Sequence, residues 1–351
     1  MKEQMINFLL ENANPSIKYR VRAEVLGENV PQNEKDALQA QILAEPNITK
    51  IINAQDESGW IGEELRAGLD TQEPATKYLG EKLIYKDTPV LKKAMDAFAT
   101  LPLTDLRYRT RGKYFDEFKY AANGQNTIRC ACIARVGYDD IIDIKPQIQL
   151  AFDSFKRVLE IDSILDVARW KKVRVSKENP SGMYLLFNDY EKWPCRYHLD
   201  ILAHTNSWKT EESIKTLAKA LTKFMRTDRP EKQKAANSWV GYMLGTIGCY
   251  AEGFNVAREI GGVRSTILDR LEWLCRCGVA PYVDKIRKEV EIIGNSINPS
   301  GICEANIDED QLRWFSTYSG QQLEVDWKDP VRKSCDITFR ALLILHYANC
   351  T

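Results

Sequence analysis

The chain has no long hydrophobic run and no excess of charge of either sign. None of its apolar stretches approaches the roughly 20 residues that a membrane-spanning helix needs. Lys plus Arg and Asp plus Glu both number 49, so the formal net charge is zero. Proteins that bind nucleic acid or acidic membranes without specificity usually carry excess positive charge. The balance therefore disfavours nucleic acid as a partner, and we expect no membrane span.

Several common catalytic motifs are also missing. The sequence contains no G-x-x-x-x-G-K-S/T phosphate loop, no G-x-G-x-x-G after a strand and no G-x-S-x-G nucleophile elbow. These absences argue against a P-loop nucleotidase, a Rossmann dehydrogenase and an α/β-hydrolase. The start, Met1–Gln4, carries an acid and lacks the apolar core of a signal peptide. With no export signal, the nine cysteines predict reduced thiols and a cytoplasmic location.

What the sequence does have is apolar residues at helical spacing. Ile214, Leu217 and Leu221 lie three and four residues apart, and residues 148–159 and 283–293 repeat the pattern. Capping residues stand before prolines at Asn14-Pro15 and Thr88-Pro89, as at the starts of helices. These patterns predict an all-α fold built from many short helices.

Strand signals are few, and no linker divides the chain. Residues 172–175 and 323–327 alternate between apolar and polar types, which predicts short hairpins or extended connectors. No stretch rich in proline or serine separates two parts. The sequence is compatible with one helical domain over residues 1–351. It is equally compatible with an N-terminal helical part over 1–125 and a C-terminal one over 126–351.

Three segments share a pattern of apolar positions followed by a polar turn that ends at glycine. They are Ile51–Trp60, Trp170–Gly182 and Ile292–Gly301. Their glycines, Gly59, Gly182 and Gly301, lie about 120 residues apart, which leaves room for several helices between them. The spacing predicts an internal repeat, although a Pro-Ser-Gly turn can also recur by chance.

The first of these segments, Gln55-Asp56-Glu57-Ser58-Gly59-Trp60, resembles the Q-x-x-D/E-G-x-W turn of squalene cyclases and related proteins. Trp193–Ala203 and Phe339–Tyr347 resemble an uncharacterised clostridial-type group labelled squalene-cyclase-like. The resemblance implies an α/α toroid, a barrel of paired helices that the protein prenyltransferases share. It also implies a mostly apolar, isoprenoid-like ligand and terpenoid-cyclase or prenyl-transfer chemistry. A HEAT-like stack of helix pairs, suggested by Asn14–Arg22, is the competing architecture.

The acid and metal motifs of those enzymes are mostly absent. The D-x-D-D acid of the cyclases has its nearest counterpart in Asn306–Asp310, which does not match it. Cys335-Asp336 lacks the Asp-x-Cys spacing of the prenyltransferase zinc site, although Cys195 and His198 have a spacing that could supply two zinc ligands. Free cysteine more often packs as a small core residue, so zinc is the less favoured interpretation.

One acidic cluster does match a diphosphate motif. Asp139-Asp140-Ile141-Ile142-Asp143 fits D-D-x-x-D, and on a helix Asp139 and Asp143 would lie one turn apart and could hold Mg²⁺. The alternative interpretation is structural, since acids are also typical of a helix start. We keep Asp139 and Asp143 as candidate metal-linked catalytic residues, with Mg²⁺ or Zn²⁺ as conceivable cofactors.

The stretch from Trp193 to Trp208 is the densest candidate site. It holds Trp193, Tyr197 and Trp208 with two of the three histidines, His198 and His204. Aromatic faces can bind an apolar or cationic ligand, and histidine can transfer protons near neutral pH. The alternative is a satisfied core histidine among core aromatics.

Four more residues complete the predicted site. Trp239 and Trp314 are candidate cavity aromatics, and Arg340 and His346 lie on the last apolar helix, where a charge needs a partner or an anion. The first functional hypothesis is an α/α toroid that binds a mostly apolar small molecule, with His198 or His204 transferring a proton. The second is a non-catalytic helical-repeat protein that binds a peptide or a partner protein.

Overall fold

The structure, a computed structural model, describes residues 1–65, 68–101, 120–162, 166–173, 182–187, 194–225, 265–305 and 323–349. Within these ranges the chain is mostly helical, as the apolar spacing predicts. The α-helices are α1 (Lys2–Asn12), α2 (Pro15–Arg20), α3 (Gln32–Leu43), α4 (Pro46–Asn53), α5 (Gln72–Glu81), α6 (Pro89–Thr100), α7 (Tyr120–Arg135), α8 (Lys145–Arg157), α9 (Arg196–His204), α10 (Glu211–Met225), α11 (Ser265–Arg276), α12 (Asp284–Asn295) and α13 (Pro330–Ala348). A π-helical turn, Val21–Val25, continues α2, and 3-10 turns span Tyr138–Asp140, Val158–Glu160 and Ala280–Tyr282.

One antiparallel hairpin interrupts the helices. Strand β1 (Ala168–Val173) pairs with β2 (Gly182–Phe187), with Ala168 opposite Phe187 and Val173 opposite Gly182. Lys172 and Val173 therefore lie in a hairpin, as their alternation predicts, whereas Arg174 and Val175 lie outside the described residues.

The alternation at 323–327 does not form a strand. The side chain of Asp336 in α13 accepts the backbone N–H groups of Leu323 (2.8 Å) and Glu324 (3.0 Å). Those donors would otherwise be available to a neighbouring strand. The segment is an extended connector attached to α13.

Helix starts follow the local sequence. The Asn14 side chain accepts the backbone N–H of Ile17 at 3.0 Å, and Pro15 occupies the first helical position of α2. At α6, Pro89 has the same place, but the side chain of Thr88 makes no capping bond. Asp329 caps α13 by accepting from Val331 at 2.8 Å.

The helices pack in an order that follows the chain. Helix α5 packs on α7, α7 on α9, α9 on α11 and α11 on α13. Helix α13 contacts the π-helical turn after α2, and Arg20 of α2 reaches Glu81 at the end of α5. Helices α3, α6, α8 and α12 pack on members of this series. Side chains from distant parts of the sequence are thereby brought together.

Two of the three predicted repeat segments form the same turn. Asp56 N–H donates to the carbonyl of Trp60 (2.8 Å), and the Asp56 side chain accepts from Trp60 N–H (3.1 Å). Asn298 makes the equivalent two bonds with Ile302, at 2.9 Å and 3.0 Å. Isolated bridges follow in both, between Gln55 and Ile61 and between Ile297 and Cys303. Each turn follows directly on a helix, α4 or α12.

The remaining segment is different. Trp170 lies in β1 and Gly182 begins β2, so this part of the chain forms a hairpin, and Pro180 and Ser181 lie outside the described residues. In the part of the chain that the structure describes, no helix has both the length and the apolar character needed to cross a membrane.

Candidate functional site

The ends of the packed helices hold a cluster of buried charges. Glu81 of α5 is 4 % exposed and accepts hydrogen bonds from three arginines on three other helices. Arg20 and Arg340 contact its Oε2 at 2.8 Å and 3.0 Å, and Arg135 contacts its Oε1 at 2.7 Å. Burial alone would raise the pKa of Glu81, but the three guanidinium groups outweigh it and lower the pKa to about 2.

A second group of contacts continues the cluster on α11 and α13. Arg276 donates from Nε to Glu272 at 2.7 Å and from Nη1 to the Tyr347 hydroxyl at 2.8 Å, and it also pairs with Glu24. The Tyr347 hydroxyl donates to Glu24 at 2.5 Å. Glu272 in turn pairs with Arg340. The two groups therefore form one continuous network of ion pairs.

His204 lies at the edge of this network, held by the carboxylate one turn before it. Its Nδ1 is 3.0 Å from Asp200 Oδ1 and 2.8 Å from the Asp200 carbonyl oxygen. With two acceptors at Nδ1, the hydrogen-bond pattern assigns the ring proton to that nitrogen. Nε2 has no hydrogen-bond partner among the described residues. Burial lowers the pKa of His204 and outweighs Asp200, which raises it. The lowered pKa favours the neutral imidazole.

A partly open cavity of about 300 Å³ lies against the network. The described residues that line it are mainly charged: Arg20, Ala23, Glu24, Gly80, Glu81, Leu83, Arg135, His204 and Arg276. None of these described lining residues is Phe, Tyr or Trp, and the ionic side chains come from α5, α7, α9, α11, α2 and the turn that continues α2. Such a lining offers hydrogen bonds and charge to a small polar molecule.

Cations and anions are equal in number in the part of the network that the structure describes. Its buried and half-buried groups are five cations and five anions. They are Arg20, Lys77, Arg135, Arg276 and Arg340, against Glu24, Glu73, Glu81, Asp200 and Glu272. These ten groups together carry no net charge.

Among the described residues between Pro194 and Trp208, only His204 lines the cavity. His198 is buried, and its Nδ1 accepts from Cys195 N–H at 3.3 Å and lies 3.2 Å from Ser154 Oγ. Tyr197 donates its hydroxyl to Glu73 at 2.8 Å. The Trp208 indole N–H donates to the Leu202 carbonyl at 2.9 Å. Tyr197, His198 and Trp208 are thus packed as core.

The remaining predicted residues are dispersed. Arg340 belongs to the ion-pair network, while His346 is half-buried and its Nδ1 lies 3.3 Å from the Lys2 ammonium. Trp193, Trp239 and Trp314 lie outside the described residues.

Asp139 and Asp143 do not share a helical face. Asp139 lies in a 3-10 turn, and Asp143 lies before α8, where its side chain accepts from Lys145 N–H at 3.0 Å. The metal-site interpretation requires one helix through both residues, but the chain leaves the 3-10 turn after Asp140 and begins a new helix only at Lys145. Among the described residues, no group of His, Cys, Asp or Glu has the arrangement needed to hold a metal ion.

Most of the residues that line the cavity were not predicted, among them Arg20, Glu81, Arg135 and Arg276. Asp200, which holds His204, was not predicted either. One signal could have found Asp200, which stands between Leu199 and Ile201 within a short apolar helix, since a charge inside such a run needs a buried partner.

No family model, curated protein or solved structure matches this chain. The geometry of the cavity is therefore the basis on which a function can be inferred.

Proposed function

We propose that the chain is an α/α toroid whose central polar cavity binds a small molecule, and that His204 transfers a proton to or from it. The order of helix packing supports the toroid. Helices α5, α7, α9, α11 and α13 contact one another in turn, and α13 contacts the π-helical turn that continues α2. The recurrence of one turn after α4 and α12 supports it as well.

The observation that carries the proton-transfer role is the pairing of His204 with Asp200. A carboxylate at Nδ1 fixes the tautomer and the orientation of the imidazole, and it leaves Nε2 as the basic nitrogen. His204 lines the cavity, so its imidazole lies beside the space that a bound molecule would occupy. A neutral histidine held in this way is suited to act as a general base.

The lining favours a polar ligand over the mostly apolar one that the sequence predicts. An isoprenoid chain placed against Arg20, Glu81 and Arg276 would remove water from charged groups without replacing their hydrogen bonds. A molecule with hydroxyl, carboxylate or phosphate groups would replace them. Terpenoid-cyclase or prenyl-transfer chemistry gains no support from this cavity.

A second candidate is a non-catalytic helical-repeat protein that binds a peptide or a partner protein. The packing of Tyr197, His198 and Trp208 as core favours it, because these residues then supply stability rather than ligand contacts. In that function the buried ion pairs would serve to fix the positions of the helices.

Native mass spectrometry of freshly purified protein separates the two functions. Ala23 lines the cavity, whereas Ala37 is an exposed residue on α3. We expect a co-purifying small molecule on the wild type and on Ala37→Phe, and its loss from Ala23→Phe, whose new ring would fill the cavity. Equal ligand content in all three proteins would contradict a site in this cavity. If no small molecule is bound to any of them and polar compounds give no thermal stabilisation, the non-catalytic function is favoured.

A further inference from the structure

We infer that Leu83 contacts the ligand, and that the ligand is a small amphipathic molecule. Its polar head group faces the ionic side chains of the cavity, and a short hydrocarbon part packs on Leu83. Leu83 follows the end of α5 and lines the cavity. The inference rests on the proposed function and names the ligand class of the same cavity.

The backbone of Leu83 has an unusual conformation. Its φ is 54°, and among the described residues it is the one residue with a Cβ whose φ is positive. In this left-handed region the Cβ lies too close to the following carbonyl oxygen, so glycine is the usual residue there. Other residues keep such a conformation where the surrounding structure maintains it, most often at functional sites.

Two other helices that supply cavity side chains end in a similar way, but with glycine. At the ends of α5, α7 and α11, a left-handed residue donates its N–H to the carbonyl oxygen three residues before it. The pairs are Leu83 with Gly80 (3.0 Å), Gly137 with Ala134 (3.0 Å) and Gly278 with Cys275 (2.9 Å). Glycine is the common residue in this cap. The backbone at the end of α5 therefore does not require leucine, and glycine would fit it better.

Hydrogen bonds around Leu83 maintain the left-handed conformation. The N–H of Ile84 donates to the Leu79 carbonyl at 3.1 Å, which completes the cap of α5. Gln39 of α3 donates from Nε2 to the Leu83 carbonyl at 2.9 Å and accepts the N–H of Tyr85 at 3.2 Å. These bonds use backbone atoms of residues 79–85 and the Gln39 side chain. They do not depend on the side chain at position 83.

The side chain of Leu83 contributes little to the core. Half-buried apolar residues such as Leu43 and Val136 pack on the hydrophobic core that the described residues form, whereas Leu83, also half-buried, does not. It lies instead at a cavity whose described lining is mainly ionic. Apolar surface at such a place is fully removed from water only when a ligand covers it. Contact with a ligand accounts for a leucine that neither the backbone nor the core requires.

An amphipathic ligand matches both kinds of lining. The ionic residues, such as Glu81 and Arg276, offer hydrogen bonds to a polar head group, and Leu83 offers an apolar contact. Each methylene group that such a contact removes from water should strengthen binding about fourfold. The cavity, of about 300 Å³, limits the hydrocarbon part to a few carbons.

Pairs of compounds that share a head group and differ in chain length test the inference. The pairs are ethanol with hexanol, acetate with hexanoate, and ethylammonium with hexylammonium. NMR can follow the ring signals of the three histidines, and His204→Gln assigns that of His204. We expect at least one long-chain compound to shift the His204 signal at a concentration roughly tenfold or more below that of its short-chain partner. His346, which does not line the cavity, is the internal control.

Leu83→Gly removes the side chain and gives the left-handed backbone its usual residue. We expect the advantage of the long chain to shrink to about threefold or less, and a co-purifying molecule to be lost from native mass spectra. The urea midpoint should stay close to that of the wild type, because relief of the strain at φ offsets the added freedom of the unfolded chain. Leu83→Met should keep most of the advantage.

Ile141→Gly is the matched control. Ile141 is an exposed apolar residue with φ −110° that does not line the cavity, so its loss should leave the advantage of the long chain unchanged.

The outcomes separate this inference from the proposed function. If short and long compounds act equally on the wild type, or if Leu83→Gly keeps the advantage of the long chain, the cavity binds ligands but the apolar contact is wrong. A strongly lowered urea midpoint in Leu83→Gly would show that the leucine serves stability, and equal shifts at His346 would indicate a non-specific effect. Either result would overturn the inference. If no compound affects His204 and native mass spectra show no ligand, the proposed function itself falls.

Discussion

Glu81 is the residue that most of the buried network depends on, because arginines from three other helices converge on its carboxylate. A buried ion pair adds little stability compared with apolar side chains of similar size. Removal of one partner is costly nevertheless, since it leaves the other charge buried without compensation. Single substitutions in the network should therefore reveal its energetics.

Arg340→Gln should destabilise the protein by roughly 3–5 kcal/mol, because it leaves Glu272 and Glu81 each short of one buried cation. Urea unfolding followed by circular dichroism would measure the loss. The matched control is Arg287→Gln, which removes an exposed pair with Asp284 (2.7 Å) and should change little. Similar losses in the two variants would show that the network adds nothing beyond an ordinary surface ion pair.

Asp200→Asn tests how His204 is held. Asp200 raises the pKa of His204 against the effect of burial, so its replacement should lower that pKa further, and ring NMR titration would measure the change. The amide also holds the imidazole less firmly in its orientation. The rate of any proton transfer should therefore fall by a larger factor than the affinity for the ligand. Asp153→Asn, on the exposed face of α8, is the control. An unchanged His204 pKa in Asp200→Asn would mean that Asp200 does not position the imidazole.

At the scale of single elements, the recurring turn depends on glycine. Gly59 and Gly301 adopt positive φ angles of 87° and 81°, a conformation that side chains with a Cβ rarely adopt. Space is lacking as well. A Cβ on Gly59 would collide with the backbone carbonyl of Lys93, and one on Gly301 with the backbone at Gln4. Each turn is thereby pressed directly against another segment of backbone.

Gly59→Ala and Gly301→Ala should each cost roughly 2–3 kcal/mol, since strain at φ adds to a backbone clash. Gly27→Ala is the matched control, because Gly27 has a φ of 65° but nothing within 4 Å of its Cβ position. That variant should lose only about 1 kcal/mol, the cost of the backbone conformation alone. Urea unfolding of the three variants would compare them, and equal losses would show that the close approach contributes nothing.

The same elements show how much local sequence can predict. The spacing of Ile214, Leu217 and Leu221 lies within a few turns, so α10 can be predicted without knowledge of its neighbours. The turns at Gly59 and Gly301 are also formed by residues close together in the sequence. The partners of Arg340 cannot be predicted in this way, because Glu81 is 259 residues away in the sequence. No local pattern reports that the ends of α5 and α7 lie beside the middle of α13, and for that reason the cavity was not predicted.

Tertiary contacts also explain why two predictions from local spacing do not match the structure. Residues 323–327 alternate as a strand would, but Asp336 takes up the backbone donors of Leu323 and Glu324. Asp139 and Asp143 have the spacing of one helical turn, but a 3-10 turn ends at Asp140 and the next α-helix begins only at Lys145. In each case spacing describes what a segment could form, and its neighbours determine what it does form.

At the scale of the whole molecule, a second buried acidic cluster joins the two ends of the chain. Glu324 accepts the backbone N–H of Asn14 at 2.8 Å, so it ties the connector before α13 to the start of α2. Burial raises the pKa of Glu324 to about 7 and that of Asp336 to about 6. Both carboxyl groups therefore keep protons in the folded protein that they release in the unfolded chain.

Stability should accordingly fall as pH rises from about 4.5 to 7, because the folded state binds more protons than the unfolded state in this window. His204 acts in the opposite direction: its lowered pKa makes the folded state bind fewer protons below pH 6.5, so its contribution grows with pH. The dependence of wild-type stability on pH contains both effects. Comparison with Glu324→Gln isolates the effect of Glu324, since the amide oxygen can still accept from Asn14 but the amide cannot titrate.

Glu324→Gln should lose less stability than the wild type between pH 5 and pH 8, with a difference of at most about 3 kcal/mol from the shift of Glu324. Urea unfolding at a series of pH values would measure it. Glu291→Gln, on the exposed face of α12, removes a carboxylate without disturbing the contact between α2 and α13 and should follow the wild-type curve. If all three curves are parallel, Glu324 is ionised in the folded protein, and the connection between the chain ends holds a charge rather than a proton.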